Sequence, residues 1–240
     1  KRWGPKSPMY VSRVLGNFPA DAKDALIPLS WIEAAQRRTL EPVATDRVEL
    51  GVDVARSGDN ETVVIKRHGP VYRSLFAERG MMRTTQTVGV VQQFIKEYEV
   101  HTTTVDTDGV GGGVADGLYA EDEQVFEFHG GQTEDIDKDR FFNLRAEKYW
   151  GLRELFDPDN GEIDIDEDDM ELAAQLSAIK WKLSPRGKIQ IESKEDSDHE
   201  WDRADALMLA SAGGVMAAYT QADFMVGRKL VGAIGPQRTV

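Results

Sequence analysis

The sequence predicts a mixed α/β fold: a central β-sheet flanked by helices, with an additional β-hairpin. Two patterns carry that expectation, three strand-like segments in succession and then helix and strand in alternation. The first strand spans Val48–Ala55, where Val48, Leu50, Val52 and Val54 alternate and put Gly51 and Asp53 on the opposite face. "SGDN" then makes a tight turn into a second strand, Glu61–Arg67, and a third follows over Val71–Glu78. Gln86–Tyr98 has Val88, Val91, Ile95 and Tyr98 on one helical face. "VHTTTVD" (Val100–Asp106) is a β-branched strand ending at a glycine cluster, "VADGLYAE" starts a helix, and Val125–His129 is another strand.

The remainder reads as helices over Asn143–Phe156 and Glu171–Ile179, a hairpin, and a last helix over Asp202–Tyr219. In the hairpin "IKWKLSPRGKIQIES", Trp181 and Leu183 face Ile189 and Ile191 across "SPRG". The first 45 residues are interrupted by proline and read as a lead-in, with a short helix over Ile32–Arg38. The chain opens on Lys1, as expected of a fragment or a processed product.

With 240 residues and 40% hydrophobic residues, the chain can supply one ordinary to large core. A mean hydropathy of -0.45 and the absence of a bilayer-length apolar run or a signal-peptide pattern argue against a membrane protein. Zero cysteines exclude disulfides, thiolate metal sites and cysteine nucleophiles, and His68, His101, His129 and His199 are too scattered for a histidine site. The net charge of -13 argues against a simple nucleic-acid binder. It is uneven: acids crowd Asp157–Leu172, in which "DIDEDD" (Asp164–Asp169) reads as a solvated loop, whereas Lys180, Lys182, Arg186, Lys188 and Lys194 form a basic ribbon that could track phosphates.

The chemistry rests on aspartates. Asp53 lies in the first strand, Asp106 at the carboxyl end of the fourth, and Asp202 and Asp205 on one face of the opening turn of the last helix. A single crossover helix would make the first and fourth strands parallel neighbours and bring Asp53 beside Asp106. Crowded carboxylates need a cation, and hard oxygen donors point to Mg²⁺ or Mn²⁺, a pair of which supports phosphodiester hydrolysis. The alternative is separate surface acids in an acid-rich chain. "VDTDGVGGGVADGL" also resembles a pyrophosphate cradle, with Glu127 as the ribose acid. Its last fingerprint position is Val114 rather than glycine, however, and Asp106 and Asp108 would repel phosphate. The glycines read instead as clearance around Asp106. No GxxxxGK[ST] loop occurs, so no ATP hydrolysis is expected from this stretch.

Taken in order, "GVDVARSGDNETVV", "VDTDGVGGGVADGL", "NLRAEKYWGLRELF", "GKIQIESKED" and "DRADALMLA" resemble the nuclease domain of the large terminase subunit of tailed bacteriophages, over Glu41 to Met216. "PMYVSRVLGNFPADAKDALIPLSWIEAA" resembles the connector that follows the ATPase domain in that family. The resemblance implies an RNase H-like fold, with a connector at 1–45, a nuclease domain at 46–220 and a tail at 221–240. It implies a double-stranded DNA endonuclease that uses two Mg²⁺ or Mn²⁺ ions to cut concatemers with little sequence preference. Asp53, Asp106 and Asp205 would be the ligand triad, Asp59 and Asp202 further ligands, and Lys194 an electrostatic helper near the scissile phosphate. Its implied partners are the ATPase domain of the same polypeptide, a procapsid portal and a small terminase subunit, in the host cytoplasm. The rivals are another RNase H-like nuclease such as a Holliday-junction resolvase, a Rossmann dinucleotide domain, or an idle docking module.

Overall fold

The computed structural model describes residues 24–55, 60–80, 82–193 and 201–213. In chain order the elements are α1 (Leu29–Arg37), β1 (Val48–Asp53), β2 (Glu61–His68), β3 (Val71–Arg79), α2 (Thr84–Tyr98), β4 (Thr102–Asp106), α3 (Gly112–Tyr119), β5 (Val125–Phe128), α4 (Leu144–Phe156), α5 (Met170–Ala178), β6 (Trp181–Leu183) and β7 (Ile189–Ile191). A last helix, α6, runs over 202–213. The expected strands and helices are all present within a few residues of their predicted ends. For the final helix, the stretch from 214 to Tyr219 lies outside the described residues.

The five-stranded sheet has the order β3-β2-β1-β4-β5. β1 pairs antiparallel with β2 and β2 with β3, whereas β1 pairs parallel with β4 and β4 with β5. The antiparallel meander follows from the short β1–β2 and β2–β3 links, and the parallel half from the helical crossovers α2 and α3. This mixed sheet is not the parallel sheet of a dinucleotide-binding domain, so the Rossmann alternative falls.

β1 is central because both its faces are covered. Leu50 and Val52 pack with Val64, Val91, Val105, Val114 and Leu118 beneath α2 and α3. On the other side, Val63, Ile65 and Tyr72 join α1, α4, α5 and α6 in the larger core, which includes Tyr149, Leu152, Phe156, Trp201 and Leu207. Gly51 sets how closely α6 approaches: a β-carbon there would overlap the Ala206 carbonyl oxygen and the Ala210 nitrogen. Only glycine lets the helix backbone lie directly on the strand. Tyr98, expected on the apolar face of α2, is partly exposed beneath the Lys66 ammonium, 4.0 Å from its ring centroid.

Two regions differ from expectation. Leu26, Ile27 and Ile32 in the proline-interrupted lead-in are fully buried in the larger core, and the Leu26 amide donates to the Ile179 carbonyl at 2.8 Å. The acidic run Asp164–Asp169 is solvated only in part, at Glu167 and Asp168. Ile163, Asp164 and Ile165 are buried, and the segment runs along the outer edge of β3 through Tyr72 N–H to Asp164 C=O (2.8 Å) and Asp164 N–H to Pro70 C=O (2.9 Å). Its buried charges are paired: Asp164 with Arg73 at 2.7 Å, and Asp169, the α5 N-cap, with Arg203 at 2.7 Å. The isoleucines between the acids supply the burial, and arginines on β3 and α6 make it affordable for the aspartates. Among the described residues no helix is long and apolar enough to cross a membrane.

Candidate metal centre

β1 and β4 pair in register up to Val52↔Val105, and the next residue on each strand is an aspartate, Asp53 and Asp106. Both therefore stand side by side at the carboxyl ends of adjacent parallel strands, where α/β sheets place their ligands. Asp53 is only 7% exposed, which rules out a surface accident. Asp106 is held by the returning loop: its Oδ1 accepts the Asp108 amide at 2.9 Å, and a β-carbon at Gly111 would strike the Asp106 carbonyl. The clearance expected of the glycine cluster thus serves the loop's own backbone at Gly111.

Asp205 reaches this place through α6. Because Gly51 admits the helix at Ala206, the preceding residue is brought in over the same face of β1 that carries Asp53. Asp205 is buried, and its Oδ1 accepts from Tyr149 Oη at 2.6 Å and from Arg145 Nη2 at 2.9 Å. Arg145 lies between the faces of Tyr149 and Trp201, at 5.3 and 5.2 Å from their ring centroids, and is 22% exposed. Burial alone would lower its pKa. The charges of Asp205, Tyr149, Asp106 and Asp53 outweigh that and hold the guanidinium above its ordinary value. Tyr149 is pushed well up by burial and by Asp205, so its hydroxyl stays protonated and donates.

The charges of the three sequence-predicted aspartates thus all act on Arg145, which hydrogen-bonds Asp205. Among the described residues no group of three or more histidine or carboxylate side chains gathers closely enough to hold an ion, and Asp205 is turned to Arg145 and Tyr149 instead. By chemistry the set suits a hard divalent ion: every donor is a carboxylate oxygen, and a guanidinium already stands in as a positive charge.

Asp202, on the same opening turn, contacts β2. Its Oδ2 accepts the Glu61 amide at 2.7 Å and its Oδ1 the Asn60 side-chain amide at 3.4 Å, so it ties α6 to the start of β2. Asp59, Lys194 and His199 lie outside the described residues. Lys182 and Arg186 are exposed on the hairpin, and Lys188 with Arg186, Lys138 and Phe142 lines a groove of about 440 Å³. Lys180 pairs with Asp24 at 3.4 Å. Trp181 packs edge-on against Trp150 at 5.1 Å, the internal role preferred for it over base stacking.

Sequence reasoning missed Arg145 and Tyr149. Their i, i+4 spacing was the available signal, because it sets a charge on the same helical face as buried Tyr149. It also missed the His129–Asp108 pair at 3.4 Å beside the Asp106 loop, which no spacing reveals.

No protein-family model matches the sequence, and no curated protein matches it. Solved structures do match. The nuclease domain of the large terminase subunit gp2 of bacterial virus Sf6 superposes with a TM-score of 0.64 at 22% identity, covering 78% of this chain and 98% of that one. The large terminase nuclease from thermophilic phage G20c with bound magnesium gives 0.57 at 15% identity, covering 80% and 98%. The chain has the fold of phage large-terminase nuclease domains. Within this terminase-nuclease fold, solved Sf6 and G20c domains carry manganese, magnesium or cobalt. The mixed sheet and the separate hairpin of the terminase-nuclease fold are the architecture expected from the motif order.

Proposed function

We propose that this chain is the nuclease domain of a phage large terminase, an endodeoxyribonuclease that cuts concatemeric double-stranded DNA during genome packaging with little sequence preference. The observation that carries the reading is the placing of Asp53 and Asp106 on neighbouring strand ends, with Asp205 delivered over them by α6. Asp53, Asp106 and Asp205 would hold two Mg²⁺ or Mn²⁺ ions, a reading supported by their all-oxygen donors and by the ions in the structural neighbours. Such ions supply Lewis acidity for attack of water on phosphorus and for departure of the 3′-oxygen.

The chain's own residues set the geometry. Tyr149 fixes the Asp205 carboxylate through a short hydrogen bond, and the Gly111 turn fixes Asp106. Asp202 is a positioning residue: it holds the start of β2, close in sequence to Asp59, the proposed accessory ligand. Lys182, Arg186 and Lys188 neutralise phosphates along the duplex, with Lys180 at the base of the hairpin, and Lys194 assists at the scissile phosphate. Residues 1–45 lead in from an ATPase domain, and the portal and a small terminase subunit complete the machine in the host cytoplasm.

The test is nicking of supercoiled plasmid with Mg²⁺, Mn²⁺ or EDTA, beside Asp53→Ala. Nicking that needs the metal and vanishes in the variant is expected. Nicking that survives in Asp53→Ala would sink the site assignment. None under any metal, at high protein and low salt, would leave a docking module as the better account.

A further inference from the structure

We propose that Arg145 is the resident counter-cation of the carboxylate site and that it competes with a divalent ion for Asp205. The ion in this statement rests on the nuclease reading; the counter-charge does not. Asp205 is buried and Arg145 donates to it at 2.9 Å, while the charges of Asp106 and Asp53 also act on the same guanidinium. Its grip is partial. It contacts Asp205 through Nη2 alone, at 2.9 Å, rather than through a two-pronged fork. Its Nε is buried without a hydrogen-bond partner among the described residues. Tyr149 holds the same Asp205 oxygen independently, at 2.6 Å, so the guanidinium can leave without the carboxylate losing its orientation.

A guanidinium and a divalent ion drawn to the same carboxylate repel each other, and each lowers the other's occupancy by the same factor. In metal-free protein Arg145 compensates the buried charge. As an ion arrives, Asp205 exchanges a hydrogen-bonded cation for a coordinated one. The aromatic faces of Tyr149 and Trp201, both about 5 Å away, give the displaced guanidinium a place to remain.

The experiment uses this 240-residue chain, with thermal unfolding in EDTA and Mn²⁺ binding by calorimetry, for wild type, Arg145→Gln, Arg145→Lys and the double variant Arg145→Gln/Asp205→Asn. In EDTA, Arg145→Gln should lower Tm by roughly 10 °C, because a buried carboxylate loses its partner. The double variant should regain most of that loss. Arg145→Gln should bind Mn²⁺ about tenfold tighter than wild type, and Arg145→Lys should stay near wild type. If Arg145→Gln does not fold, Arg145→Met keeps the stem between the two rings and carries the same comparison. Unchanged or weaker Mn²⁺ binding in the neutral variant would overturn the competition. A double variant no more stable than the single one would overturn the counter-charge and leave Arg145 a packing role. Wild type that binds no Mn²⁺ would sink the nuclease reading and the competition together. The EDTA arm alone would then decide the counter-charge.

Discussion

The opening turn of α6 takes part in two ion-pair clusters, and they are built to different degrees of completion. Arg203 is saturated: its Nε meets Glu61 at 2.8 Å, its Nη1 meets Asp169 at 2.7 Å, and its side chain is 15% exposed. Two acids from β2 and the α5 N-cap converge on one guanidinium, and the cluster bolts three elements together. Arg145, by contrast, faces three aspartates and makes one hydrogen bond to them. The first cluster is near electrical balance and belongs to the scaffold. The second joins Arg145 to Asp205 by a single hydrogen bond, close to the strand ends that carry Asp53 and Asp106. Two arginines at the same helix end thus do different work, and the difference lies in how each one's hydrogen bonds are used.

The largest break in this comparison is Gly51→Ala. The added methyl meets the α6 backbone itself, so the helix must shift and carry both clusters with it. We expect a loss of about 4 kcal/mol in denaturant unfolding, together with loss of plasmid nicking. Next comes Arg203→Met, which takes the ion partner from buried Asp169 and leaves Glu61 only the exposed Arg79, and should cost about 3 kcal/mol. Unlike the Arg145 variants, it should gain no extra stability when Mn²⁺ is added. Equal rescue of both would erase the distinction drawn here.

A milder probe is pH. Burial pushes Glu61 up, but hydrogen bonds and charge from Arg203 and Arg79 outweigh it and hold the pKa below its ordinary 4.5. A depressed acid stabilises the fold fully above its unfolded pKa and loses that contribution as pH falls through the folded one. Glu61→Gln should therefore be less stable than wild type by about 1 kcal/mol at neutral pH, with the gap closing on acidification below 4.5. A gap that widens in acid would contradict the assigned partners. The smallest effect on the fold belongs to the hairpin. Lys182→Ala and Lys188→Ala should leave Tm unchanged and reduce the salt dependence of DNA binding by about one unit of slope each.

Much of this arrangement was legible in the chain. Period-two and helical patterns located the elements, and the single crossover between β1 and β4 made Asp53 and Asp106 neighbours before any coordinates. Gly51 was visible as a gap beside Asp53, but its use was not, because the segment that fills it lies some 150 residues later and meets it only in three dimensions. Arg145 escaped notice because a charge in an amphipathic helix reads as solvated, and only tertiary packing turns it inward. The run Asp164–Asp169 misled for the opposite reason: its density of acids masked Ile165, whose burial beside Ile163 draws Asp164 in with them. Local composition records charge, whereas the partner of a charge is a long-range fact.

That acidic stretch has a consequence beyond the site. β3 is an outer strand of nine residues, long enough to recruit a strand from another molecule. Asp164 occupies its Tyr72 amide, Asp166 takes the Ser74 amide at 2.8 Å, and exposed Glu78 and Arg79 charge the far end. An open edge of that length would let copies of the domain pair through their sheets wherever they are concentrated, and the segment from Gly161 to Asp166 closes it.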